Sequence, residues 1–135
     1  MGVILDKNFG MLSQMIPIFK MGVGAIIGNG KQMLSWIHIN DVAKSIMYII
    51  NNNLKGPINL VSPDSLNNYT FSKTLGRLLN RPVFFRIPDK MLRIILGEMS
   101  ALLLNSSNIH PKVLLDSGYK FEFSNLDEAL NNLIK

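Results

Sequence analysis

The 135-residue sequence contains no cysteine, which excludes disulfides and any cysteine-based metal or redox chemistry. A reducing, cytoplasmic setting fits that absence. Charged residues are also scarce, at 17%, against 47% hydrophobic residues. Such a chain either packs tightly or carries apolar surface meant for another chain or a missing half. There is no run of basic residues: the fourteen Lys and Arg that give a net charge of +5 stand scattered. A solvated basic surface is therefore expected, with no nucleic-acid partner. Long apolar runs are missing as well. The longest candidate, Met91 to Leu104, is broken by Arg93, Gly97, Glu98 and Ser100, too short and too polar to cross a membrane. The opening residues, MGVILDKNFG, lack the basic stretch ahead of an apolar run that marks a secretory leader.

Several reaction classes fall with their motifs. Gly-x-Ser-x-Gly is absent, and with it the nucleophile elbow of serine hydrolases. The glycines of GVGAIIGNGKQ, residues 22–32, match neither usual phosphate cradle. Gly22 and Gly24 lack the third glycine of a dinucleotide fingerprint, and Gly30-Lys31 is followed by Gln32 where a P-loop needs Ser or Thr. The loop also leads into an expected strand, so no helix N-terminus waits for a phosphate. A flexible loop on the substrate side is the better reading. His38 and Asp41 stand close enough for acid–base chemistry. Yet His38 falls in a strand, and Asp41 falls in a helix's first turn, where the dipole alone favours an anion; both are read as structural. Two isolated histidines, His38 and His110, make no metal site. Tyr69 and Lys73 have Tyr-x-x-x-Lys spacing, but late in the chain, and are read as coincidence.

Apolar periodicity supplies the architecture. Val3 to Leu5 has the run of a buried strand, and Met11 to Lys20 reads as a helix interrupted by Pro17. Leu34 to Ile39 reads as a strand, and Asn40 as the cap of a helix with Val42, Ile46, Ile49 and Ile50 on one face. INLV, residues 58–61, is a further strand candidate. Asn67 or Asn68 caps a helix carrying Phe71, Leu75, Leu78 and Leu79. VFFRI, residues 83–87, is the third clear strand, and Asp89 caps a helix toward Gly97, with a second helical piece to Leu104. Pro111 opens a short helix ending at Gly118. Asn125 and Glu128 have capping-box spacing ahead of the stripe Leu126, Ala129, Leu130, Leu133 and Ile134. Strands alternating with helices indicate α/β with parallel strands.

Five stretches together resemble the C-terminal half of an extended short-chain dehydrogenase/reductase of the NAD-dependent epimerase/dehydratase family. They are GVILDKNFGMLSQMIPIFKMGVG, GNGKQMLSWIHINDVAKSI, GPINLVSPDSLNNYTFSKTLGRLLNRP, LRIILGEMSALLL and LLDSGYKFEFSNLDEAL. The resemblance is closest to cell-division-inhibitor-like members that end in a small domain of unknown function. It implies a Rossmann-like fold whose N-terminal dinucleotide-binding half is absent. Residues 1–82 would hold the late Rossmann strands and a substrate-lobe segment, and 83–135 the small C-terminal subdomain. Intact members use NAD(P) and a Tyr-x-x-x-Lys pair; this chain alone is expected to bind no cofactor and to lack the activity. The resemblance puts Gly28, Gly30, Gln32 and Trp36 on the substrate side, Trp36 fitting a core position equally well. His38 and Asp41 would hold the strand-to-helix turn. Family epimerases for sugar nucleotides carry an Arg-Asp pair where this chain has Leu34 and Ser35, and leucine cannot bind a diphosphate. Expected partners are a small-molecule substrate in the intact family, and a separately encoded N-terminal half or a second copy. The alternative reading is a non-catalytic protein-interaction module.

Overall fold

The computed structural model describes residues 3–22, 24–28, 30–83, 85–97 and 109–134. Its centre is a parallel pair, β1 (Val3–Leu5) and β4 (Trp36–His38), in the register Val3 to Trp36 and Leu5 to His38. Side chains alternate across that sheet. Val3, Leu5 and Trp36 enter one apolar cluster with Met11, Leu12, Phe71, Leu75 and Leu130, while Ile4 and Ile37 enter a second with Leu60, Leu114 and Tyr119. Both faces are thus covered, as parallel sheets require. The first face carries α1 (Gly10–Lys20), α3 (Asn68–Leu78) and α6 (Leu126–Ile134); the second carries α2 (Ile39–Asn51) and α5 (Lys112–Ser117). The expected α/β class with parallel strands is the observed one.

Two small pairs flank the centre. The strands β2 (Ala25–Ile27) and β6 (Phe85–Ile87) run parallel, and β3 (Met33–Leu34) pairs antiparallel with β5 (Leu66–Asn67). After β6 comes α4 (Asp89–Leu96), closed by Gly97 at φ +60°.

Several local expectations are corrected. Pro17 does not interrupt α1, which runs on to Lys20. Proline offers no N–H to the Ser13 carbonyl, but Met11, Leu12, Met15, Ile16 and Phe19 are all buried along the helix, and that burial outweighs the lost bond. The expected strand 34–39 divides into β3 and β4, and Ile39 already belongs to α2. His38, not Asn40, caps α2, its ring nitrogen Nδ1 accepting the Asn40 N–H at 3.0 Å. INLV is no strand: Ser62 N–H reaches the Trp36 carbonyl at 2.7 Å, one contact with β4 where a ladder needs several. Pro88 stands at the cap of α4 in place of Asp89. The helical piece to Leu104 and the loop at 105–108 lie outside the described residues.

The helix α2 turns only half of its expected face inward, Val42 and Ile49 packing against the second cluster. Its wholly buried residues are polar, Asp41 and Ser45, whereas Ile46, Met47 and Ile50 are exposed. Ala43, Ile46, Met47 and Ile50 follow i, i+3, i+4, i+7 spacing, an apolar stripe turned outward.

Candidate functional site

The glycine loop after β2 is held at both ends. Gly28 donates its N–H to the Ile87 carbonyl at 2.9 Å and accepts from the Arg86 guanidinium at 3.0 Å. Further on, the carbonyls of Gly30 and Gln32 accept from the N–H groups of Tyr69 and Asn68, each at 3.0 Å. The loop therefore ties β6 to the first turn of α3. Gly30 is required by this packing: φ is +73°, and a Cβ there would stand 2.8 Å from the Ile26 side chain and 2.9 Å from Tyr69 Cβ. Tyr69 stays partly exposed, with the Lys73 ammonium 5.7 Å from its ring centroid and bonded to the Val83 carbonyl at 2.9 Å. Gly28, Gly30 and Gln32 are thus gathered around one turn, beside the exposed cations Lys31, Lys73 and Arg86.

Trp36 is elsewhere. It has no exposed surface, and its indole N–H donates to the Asp64 carbonyl at 2.6 Å. Buried tryptophan needs such a partner. Asp64 also accepts the Leu126 N–H at 3.1 Å through Oδ2, so the turn at 62–65 links β4 to the start of α6.

His38 and Asp41 form a second gathering. The Asp41 carboxylate is fully buried and takes three donors: the Tyr119 hydroxyl at 2.8 Å and the Glu122 and Phe123 N–H groups, both at 2.9 Å. Burial, with the Asp41 bond second, drives the Tyr119 hydroxyl well above its ordinary pKa of 10.0. His38 lies flat on Phe123, ring centroids 4.0 Å apart, and its Nε2 is 3.0 Å from Asn132 Oδ1 on α6. Since Nδ1 accepts from Asn40, Nε2 carries the proton and donates to Asn132. Neither side chain is free to move a proton to a ligand.

Burial, only partly countered by the Asn132 bond, lowers the His38 pKa from 6.5. The unfolded chain then binds the proton more readily than the folded one. Stability from this group is complete above about pH 6.5 and is lost as pH falls through the lower folded value. Urea midpoints should accordingly drop as pH falls below about 6.5. In His38→Gln the midpoint should start lower and that slope should flatten; an unchanged slope would refute the buried neutral imidazole.

Sequence patterns had no means of showing Asp64, Tyr119, Phe123 or Asn132, whose partners lie dozens of residues away. The turn chemistry of Ser-Pro-Asp, residues 62–64, is the one local signal that could have drawn attention to Asp64. Among the described residues no group of three His, Asp or Glu could hold a metal ion, and no helix is long and apolar enough to cross a membrane. The glycine loop does not fit a dinucleotide phosphate either. Its Gly28 amide is already engaged by Ile87, the space at Gly30 is filled, and the chain passes on to β3 rather than a helix.

Comparison with known proteins adds the following. A family model described as a domain of unknown function, DUF1731, matches residues 87–133. The epimerase family protein YfhF of Bacillus subtilis is 39% identical over 134 residues, which are 98% of this chain and 44% of that protein. The crystal structure of human epimerase family protein SDR39U1 with NADPH superposes with a TM-score of 0.90 at 32% identity, over 98% of this chain and 45% of that one. The nucleoside-diphosphate sugar epimerase of Corynebacterium glutamicum gives a TM-score of 0.73 at 25% identity, covering 98% of this chain and 25% of that chain. The chain therefore spans less than half the length of these relatives.

Proposed function

We propose that this chain, the C-terminal part of an epimerase-family protein of the extended short-chain dehydrogenase/reductase type, acts as the substrate-side lobe of an NAD(P)-dependent oxidoreductase and is inactive alone. The observation that carries the reading is its match to the NADPH-bound human structure, nearly end to end for this chain but over only 45% of the other. In this reading Gly28, Gly30 and Gln32 edge the substrate cleft, and Trp36 supports it from beneath through Asp64. His38 and Asp41 hold the C-terminal segment against the sheet. The first part of the chain, 1–82, supplies the late strands and cleft edge; 83–135 supplies the small subdomain. A sugar diphosphate is not the substrate proposed, because Leu34 is buried and apolar.

The chemistry of hydride removal and return belongs to the nicotinamide when it is bound, outside the residues present here. Titration of the purified chain with NADPH and with NADH, followed by cofactor fluorescence, is expected to give no saturable change while the chain remains folded. Stoichiometric binding would defeat the reading.

A second reading, a non-catalytic module binding another protein, is favoured by one observation: the outward apolar stripe of Ala43, Ile46, Met47 and Ile50 on α2. An intact upstream coding segment with a glycine fingerprint and Tyr-x-x-x-Lys would favour the enzyme; its absence would favour the module.

A further inference from the structure

The excess positive charge of the chain is concentrated in one stretch. Residues 65–97 carry Lys73, Arg77, Arg81, Arg86, Lys90 and Arg93 against the single carboxylate of Asp89, an excess of +5. That equals the net charge of the whole chain, so the remaining residues balance. Of these six cations only Arg77 has an ion pair among the described residues, with Asp127. The excess therefore sets up a positive potential over α3, β6 and α4.

Exposed apolar side chains lie in the same stretch. Phe85 in β6 is 56% exposed, Met91 53% and Ile94 84%, the last more exposed than any other large apolar residue described. Around the axis of α4, Arg93, Lys90, Ile94 and Met91 follow one another in that order within about 160°, and all four are exposed. Half of this arc is cationic and half apolar. It adjoins the glycine loop. The Ile87 carbonyl, just ahead of the α4 cap, accepts the Gly28 N–H, and the Arg86 guanidinium donates to the Gly28 carbonyl.

We infer that the small molecule taken by this lobe is an amphipathic acid. Its apolar body lies along Met91 and Ile94, and its head, a carboxylate or phosphate monoester, pairs with Lys90, Arg93 or Arg86. The inference rests on the functional reading above and names a substrate class for that cleft. Guanidinium and ammonium groups both pair with such heads, the former bidentately. A sugar fits poorly, because Phe85, Met91 and Ile94 offer its hydroxyls no partner, and burying them unpaired is costly. A membrane surface is also a poorer occupant. Among the described side chains of α4 only Met91 and Ile94 are exposed and apolar, far less than a bilayer anchor needs.

The test titrates the purified, folded chain with monomeric decanoate, decyl phosphate, decanol and UDP-glucose, reading amide shifts by NMR. Decanoate or decyl phosphate is expected to give saturable shifts at Gly28, Arg86, Met91 and Ile94, the tighter of the two identifying the head group. Decanol should bind at least about tenfold more weakly. Ile94→Ser, and Lys90→Gln combined with Arg93→Gln, should each weaken the acid about tenfold. Ile46→Ser on α2 and Lys112→Gln on α5 should leave it unchanged. All these side chains are exposed, so the variants keep the fold. Equal affinity for decanol, tighter binding of UDP-glucose, shifts centred on α2, adsorption only to phosphatidylglycerol vesicles, or no binding by the folded chain would each overturn the inference. The functional reading fails separately, on saturable NADPH binding by the chain alone.

Discussion

Asp41→Ala is expected to lower stability by about 3–5 kcal/mol, a large share of the roughly 5–15 kcal/mol that a domain possesses. The carboxylate lies fully buried beneath three donors, and alanine would leave the Tyr119 hydroxyl and the Glu122 and Phe123 N–H groups without an acceptor. Each such orphan costs about 1–3 kcal/mol, with incomplete additivity. Tyr119→Phe removes one donor and leaves two, so it should cost only about 1–2 kcal/mol. Urea unfolding of both variants gives the comparison, and equal losses would refute Asp41 as the point of attachment. The neighbouring Lys44–Glu122 ion pair is solvent-exposed, and its removal should move the midpoint little.

Trp36→Ala is the second large expected loss, about 3–5 kcal/mol, from the cavity left by a wholly enclosed indole. For a chain of this size that corresponds to roughly 10–20 °C in melting temperature. Trp36→Phe keeps much of the volume but leaves the Asp64 carbonyl without the indole N–H, and should cost about 1–3 kcal/mol. As the single tryptophan, it also reports on its own environment: wild-type emission should shift to the red when urea unfolds the chain. A wild-type spectrum already red-shifted in the native state would show the indole in water.

Where a residue's role depends on its near neighbours, the sequence was readable. Asn67 caps α3 through the Thr70 N–H at 2.9 Å, and Asn125 accepts from Asp127 and Glu128 at the start of α6. Cap spacing and apolar periodicity are local signals, and Val3 to Leu5 emerged as a strand for the same reason. The orientation of α2 was not readable. Periodicity identifies an apolar face without saying how much of it turns inward, and here Asp41 and Ser45 share the buried side with Val42 and Ile49, the segment at 119–123 supplying donors to Asp41. The glycine loop was read as a flexible substrate-side loop, and nothing local showed that Tyr69 packs against Gly30. His38 was placed in a strand, and its capping of α2 depended on which ring nitrogen faced Asn40.

The attachments of α6 bear on how the chain is made. The main cluster contains Leu126, Ala129, Leu130 and Leu133, and this helix leaves the ribosome after every element that it closes. Until then Leu5, Leu12, Phe71 and Leu75 share an unfinished core, exposed to chaperones and proteases. A stop codon just ahead of Leu126 would therefore do more than shorten the product. It would remove the closing step, and the cell should clear that polypeptide by degradation.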